Sequence, residues 1–189
     1  MAKPTKGDAI RLKRILRYSK GAPKAVNKFA WQAQQEGIRV YTDSDWAGCR
    51  KTRKSTSGGF VMLGSHLIIH WASTQANVAL SSAEAELNAI VKACSEALGL
   101  RNMYSAMRRS LNINILTDSS AANGIVHRTG CGKVKHLAAK QLWVQEHVES
   151  KVIKVSKVGR ESNPSDVLTH HWSAVDGYRH LSNVGLAWC

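Results

Sequence analysis

The sequence predicts an α/β domain, a mixed five-stranded sheet flanked by helices, and three features of its 189 residues lead there. Apolar and polar residues alternate in the first half, the period of half-buried strands. At Ser82 the spacing of apolar residues changes to three and four, which is helical. Beyond it, short apolar runs alternate with helical stretches, as strands joined by crossovers do.

Taken in order, Asp8 to about Tyr18 sets Ile10, Leu12, Ile15 and Leu16 among Arg and Lys, a basic amphipathic helix that Gly21-Ala22-Pro23 should end. Ile38–Thr42 alternates as a first strand, with Ile38, Val40 and Thr42 on one side and Arg39, Tyr41 and Asp43 on the other. A polar stretch with Arg50, Lys51, Arg53 and Lys54 follows. Phe60–Leu63 and Leu67–Trp71, parted by Gly64-Ser65-His66, read as a hairpin. Ala83, Leu87, Ile90 and Cys94 define a helix with Ser82 as its N-cap, and a second helix is expected over Glu96–Arg109. Leu111–Thr117 is a buried strand, Ser119–His127 a short helix, His136–Ser150 another helix and Lys151–Val158 the fifth strand. Asn163-Pro164 opens a last helical segment, with Pro near its first position.

Composition narrows the partners. With 43% hydrophobic residues the chain can bury a core, yet no apolar run is long enough to span a bilayer, so no membrane role is expected. Cys49, Cys94, Cys131 and Cys189 show no CxxC spacing, which speaks against a zinc site or a disulfide framework and for a reducing intracellular compartment. Cytoplasm, nucleus and mitochondrion are all compatible with that reading. The 27 Lys and Arg against 13 Asp and Glu leave a formal net charge of +14, and residues 1–30 hold nine basic residues and one acid. A nucleic acid is the natural partner for such a charge.

Against that background the acids fall in telling places. Asp43 ends the first strand and Asp118 follows LNINILT; Glu86 lies early in a helix, and Asp166 near the start of the last one. Strand ends are where open α/β sheets bind ligands. Carboxylates converging there repel one another unless a cation offsets them, and hard oxygen donors suit Mg²⁺ or Mn²⁺. Taken singly, each acid is better explained as a helix cap or turn residue.

The segments YTDSDWAG (41–48), RKSTSGGFVML (53–63), ALSSAEAEL (79–87), LTDSSAA (116–122), KVKHL (133–137) and SDVLT (165–169) resemble the RNase H domain of copia-type LTR-retrotransposon polyproteins. RLKRILRYSKGAP (11–23) is similar to the segment that joins the reverse transcriptase to that domain. The resemblance implies an RNase H-like fold over residues 37–189, preceded by a basic helix and connector over 1–36. It also implies a ribonuclease H that cleaves the RNA strand of an RNA–DNA hybrid by two-metal hydrolysis. The metal-binding acids carry over to Asp43, Glu86, Asp118 and Asp166, holding two Mg²⁺ ions or Mn²⁺ in their place. Asp43 would bridge the ions, and the Glu86 position would also read a 2′-hydroxyl. Asp45 points to the side of Asp43 if the strand continues, while Glu84, roughly 200° around the helix from Glu86, should face away.

Departures from the family pattern bear on function. KVGRESNPSD (157–166) has no histidine before the fourth acid, Ala138 and Lys140 stand where an acid and an arginine are usual, and His170 stands where lysine is favoured. His136 reads best as a helix-start residue. His170-His171 looks like a metal site only in isolation, without an i,i+4 partner. Trp46 and Trp71 are expected in the core, with Trp143 or Trp172 available to stack on bases. No polymerase precedes the domain in these residues, so a polyprotein piece or a separated descendant is expected. The partner would be a reverse transcriptase or, for a domesticated copy that binds structured RNA without cutting it, a larger ribonucleoprotein.

Overall fold

A computed structural model describes residues 3–130 and 138–188 of the chain. Five strands form one mixed sheet: β2 (Gly37–Ser44), β3 (Thr56–Leu63), β4 (His66–Thr74), β5 (Asn112–Thr117) and β6 (Ile153–Lys157), in the order β4-β3-β2-β5-β6. β2 is central, antiparallel to β3 and parallel to β5, and β5 is parallel to β6. The hairpin β3–β4 turns tightly because Gly64 adopts φ +61°, a conformation that costs glycine little. Parallel neighbours need crossovers. Helix α2 (Ser82–Ala106) carries the chain from β4 to β5, and α3 (Ser120–His127) with α4 (Ala138–Glu149) spans from β5 to β6.

The two faces of the sheet are covered differently. Ile38, Val40, Val61, Ile113 and Ile115 pack with Leu87, Ile90, Ala93, Cys94 and Ala97 of α2, and with Val126 and Val144 of α3 and α4. Phe60, Met62 and Leu67 pack on the opposite face with Val167, Leu168, Leu181 and Val184. Those partners belong to a 3₁₀ segment, Pro164–Leu168, and to α5 (Ala174–Asn183) and the turn after it. A helix α1 (Lys6–Gly21) and a two-stranded pair, β1 (Ala25–Asn27) with β7 (Leu186–Trp188), complete the described elements.

Several expectations change. The two helices expected from Ser82 to Arg109 are one, because its buried stripe continues unbroken through Ala93, Ala97 and Leu100 and no proline interrupts it. Its N-cap is Ser81, whose side chain accepts from the Glu84 amide at 3.2 Å, rather than Ser82. The last helical segment divides: Asn163 caps the 3₁₀ segment, and Ser173 separately caps α5. The β1–β7 pair was not foreseen, since three-residue strands leave no periodicity to read. α1 forms with a capping box between Thr5 and Asp8, and none of its residues is buried. Trp71 lies in the core as expected, whereas Trp46 is 54% exposed and held by its indole N–H to the Ala79 carbonyl at 3.1 Å. Cys94 is buried and Cys49 exposed, both as free thiols, while Cys131, Cys189 and His136 lie outside the described residues. No helix among the described residues is long and apolar enough to cross a membrane.

Gly58 governs how closely the 3₁₀ segment approaches the sheet. It pairs with Asp43 across β2–β3, and a Cβ there would stand 2.8 Å from Leu168 Cβ and 3.0 Å from Thr169 Cγ2. Gly58→Val should therefore lift this segment, with Asp166, off the strand and destabilise the fold by about 1–3 kcal/mol. Gly159→Ala meets nothing within 4 Å and serves as a neutral control. Urea denaturation of both variants checks this; equal midpoints for the two would refute the close approach.

Candidate metal centre

The acids reach one place by four different routes. β2 and β5 run parallel with Tyr41 beside Leu116, so two residues further Asp43 and Asp118 leave neighbouring strand ends together. Glu86 comes from the second turn of α2, and the Ser44 amide and hydroxyl donate to its Oε1 at 3.2 and 3.0 Å. Asp166 lies on the 3₁₀ segment, which Asn163 ties to β2 by donating from Nδ2 to the Thr42 carbonyl at 3.2 Å. The Asn163 Oδ1 in turn accepts from the amide and hydroxyl of Ser165, at 3.3 and 2.6 Å. Asp43, Glu86 and Asp166 are buried and Asp118 half-buried.

Asp43 belongs to two clusters. Its carboxylate, with those of Glu86 and Asp118, offers oxygens that all lie within 4.8 Å of one another. The other cluster joins Asp43 to Asp166 and His170 within the same limit. All four acids singled out in the sequence thus meet around Asp43. Glu84 turns away, its Oε2 accepting from the Leu80 amide at 2.8 Å. Asp45 is not in either cluster: its carboxylate accepts from the Thr56 amide and closes the loop after β2. Strand geometry ends at Ser44, so alternation no longer governs where Asp45 points.

Two participants were missed. The Thr169 hydroxyl donates to Asp43 Oδ2, and His170 Nε2 stands 3.4 Å from Asp166 Oδ1 and 3.8 Å from Asp43 Oδ2. Spacing does hold a signal for His170, since it lies four residues after Asp166, the separation that aligns side chains on a helical turn. Trp172, read as a base-stacking candidate, donates its indole N–H to the Asp166 carbonyl at 3.1 Å and packs its ring against His180. Trp143 packs partly buried against the core. Lys140, a departure from the family pattern, donates to Asn88 Oδ1 at 3.1 Å and so ties α4 to α2.

The electrostatics of this arrangement fit a cation. Burial, and then the Asp43 charge, push Glu86 up to about 8. Burial also raises Asp43, opposed by the Thr169 hydrogen bond and reinforced by Asp166; burial and Asp43 raise Asp118. Glu86 Oε2 and both carboxylate oxygens of Asp166 are buried without a hydrogen-bond partner. Buried acceptors left unpaired cost free energy that a bound divalent ion would return. Basic side chains stand beside Asp166 and on the loop after β2. Arg160 stands 3.7 Å from Asp166 with its side chain 71% exposed, and Arg50, Lys51 and Arg53 are exposed on the loop leaving the Asp43 end of β2.

The fold is that of RNase H domains. LC11-RNase H1, isolated from compost by a metagenomic approach, superposes with a TM-score of 0.56 over 71% of this chain and 93% of its own, at 16% identity. In sequence, the relatives include retrovirus-related Pol polyproteins from copia-type transposons, which bears out the resemblance read from the motifs. The polyproteins of transposons RE1 and RE2 of Arabidopsis thaliana are 28% and 29% identical over 193 aligned residues, 98% of this chain. The chain spans 13% of the length of each. No protein-family profile matches it.

The raised acids set the pH dependence of stability. A carboxyl held above its unfolded value stabilises the fold while protonated, and that contribution is lost as pH rises through the folded value. For Glu86 the window runs from 4.5 to about 8. Metal-free protein should accordingly lose stability between pH 5 and 8, by up to about 4 kcal/mol from this group. Glu86→Gln should raise Tm by several degrees at pH 8 and far less at pH 5, read by calorimetry in chelator. A Tm gain that is equal at both pH values would contradict the repulsion.

Proposed function

We propose that the chain is a ribonuclease H that hydrolyses the RNA strand of an RNA–DNA hybrid at the Asp43 centre. The observation that carries this reading is the sharing of one buried carboxylate, Asp43, between two clusters of acids in an RNase H fold. Relatives that are retrovirus-related Pol polyproteins support a ribonuclease H-type nuclease, and a reverse transcriptase is the partner this kinship favours. Residues 1–36 would then be a basic helix and connector, and 37–189 the nuclease domain.

In this reading Asp43 is the shared ligand, with Glu86 and Asp118 on one side and Asp166 on the other. Two Mg²⁺ or Mn²⁺ ions held by these residues would supply Lewis acidity for activating water and for offsetting charge on the leaving 3′ oxygen. The chain's own side chains prepare the place. Ser44 fixes Glu86 by two hydrogen bonds, and Thr169 fixes Asp43 by one. Asn163 seats the segment that carries Asp166 against β2. Arg50, Lys51, Arg53 and Arg160 face solvent, where they can meet the phosphates flanking a scissile bond. A pocket of acids within a basic protein draws the polyanion through its surface while reserving its centre for cations.

Cleavage of a labelled RNA–DNA hybrid tests the proposal. Activity should need added Mg²⁺ or Mn²⁺, vanish in chelator and return on metal addition. Asp43→Asn and Asp118→Asn should abolish cleavage while hybrid binding holds or tightens, because each change removes a ligand and lowers repulsion toward phosphate. Full activity in either variant would overturn the site. Tight RNA binding by an unmutated chain that never cuts the hybrid would replace the enzyme with a silent RNA-binding module.

A further inference from the structure

We infer that His170 is a third protein ligand of the Asp43–Asp166 side of the centre, and that its imidazole turns this side toward Mn²⁺ in preference to Mg²⁺. The inference rests on the metal-centre reading above and adds to it a nitrogen donor.

The position of His170 is built by the backbone. Its amide donates to the Asp166 carbonyl at 3.0 Å, and the Thr169 amide donates to the same oxygen at 3.3 Å. This turn brings the imidazole back over the carboxylate four residues earlier, while the Thr169 hydroxyl holds Asp43 in place. Nε2 then faces Asp166 Oδ1 at 3.4 Å and Asp43 Oδ2 at 3.8 Å.

Those distances are long for an ion pair in direct contact, in which N–H and carboxylate oxygen stand roughly 2.7–2.9 Å apart. They match two donors sharing one ion. With metal–ligand bonds of about 2.1 Å, such donors are separated by about 3 Å at a right angle and about 4.2 Å when opposite. Asp166 supplies the second, independent sign. It is 1% exposed, yet neither of its carboxylate oxygens has a hydrogen-bond partner. His170 at 3.4 Å from Oδ1 and Arg160 at 3.7 Å from Oδ2 offset its charge without hydrogen-bonding either oxygen. His170 itself has a side chain 40% exposed, so the donor can be approached from solvent.

Donor chemistry then sets the preference. Asp43, Glu86 and Asp118 offer oxygen alone, which suits Mg²⁺ and Mn²⁺ alike. The Asp43–Asp166–His170 side offers two oxygens and a nitrogen. Mg²⁺ takes oxygen and keeps its waters, whereas imidazole favours the first-row transition ions. The two halves of one centre therefore differ in selectivity, and His170 is the residue that makes them differ.

Pulsed electron paramagnetic resonance of Mn²⁺-loaded full-length protein reads the ligand directly. The unmutated chain should bind two Mn²⁺ and show a nitrogen coupling that changes on ¹⁵N-histidine labelling. His170→Ala and His170→Gln should both lose the coupling, while His171→Ala keeps it. Calorimetric titration should show one of the two Mn²⁺ steps falling at least about tenfold in affinity without His170, and Mg²⁺ affinity changing far less. Two bound Mn²⁺ without nitrogen coupling, or coupling that survives His170→Ala, would overturn the assignment and leave the four-acid centre standing. Failure of any Mn²⁺ to bind would bring down the centre and His170 with it.

Discussion

Repulsion among carboxylates at the end of the central sheet is the constraint around which this protein is arranged. Asp43 is 3% exposed on the middle strand, and Glu86, Asp118 and Asp166 are all drawn toward it. Burial and mutual charge raise Asp43, Glu86 and Asp118 together, so the cluster opposes folding wherever its members are ionised. Only strong local scaffolding holds such a group together, and the scaffold is visible. Ser44 donates twice to Glu86, Thr169 donates to Asp43, and Asn163 binds the 3₁₀ segment to β2.

Packing supplies the rest. The α2 face of the sheet carries the larger core, rich in Ile, Val and Ala, which fixes α2 against β2 and so fixes the height of Glu86. The opposite face is shared with the 3₁₀ segment and α5 around Phe60 and Met62, which fixes Asp166 and the turn bearing Thr169 and His170. Asp43 sits where the two packings meet. Gly58 matters for the same reason, since the absence of a side chain beside Asp43 lets the segment close on the sheet. In the proposed reading, stability and chemistry are opposed at this point and would be reconciled by two cations that share Asp43 as a ligand.

Charge is organised on a second scale. The whole chain is strongly basic, but four of its 13 acids converge at the sheet end, with the exposed Arg160 3.7 Å from Asp166. A uniformly basic surface would hold nucleic acid without placing any one phosphate. In the proposed reading, a buried acid pocket within that surface would give phosphate a defined place to meet bound metal.

Periodicity, strand ends and motifs were enough to read the five-stranded mixed sheet, the hairpin at Gly64 and the four acids, because each depends on residues close in sequence or on short motifs. The unbroken α2, the divided C-terminal segment and the β1–β7 pair were beyond that reading, since neighbours distant in the chain settle them. Trp46 and Asp45 show the same limit: their residue types suited a core and a strand face, but each is taken by a hydrogen bond to a later segment, Trp46 to the Ala79 carbonyl and Asp45 to the Thr56 amide. His170 shows it most sharply. In sequence it is a departure from a family pattern. Its approach to Asp43 joins residues 127 positions apart, and only the packing of the 3₁₀ segment against the sheet brings nitrogen and carboxylate within 3.8 Å. Local chemistry determined which side chains could act; long-range packing decided which of them meet.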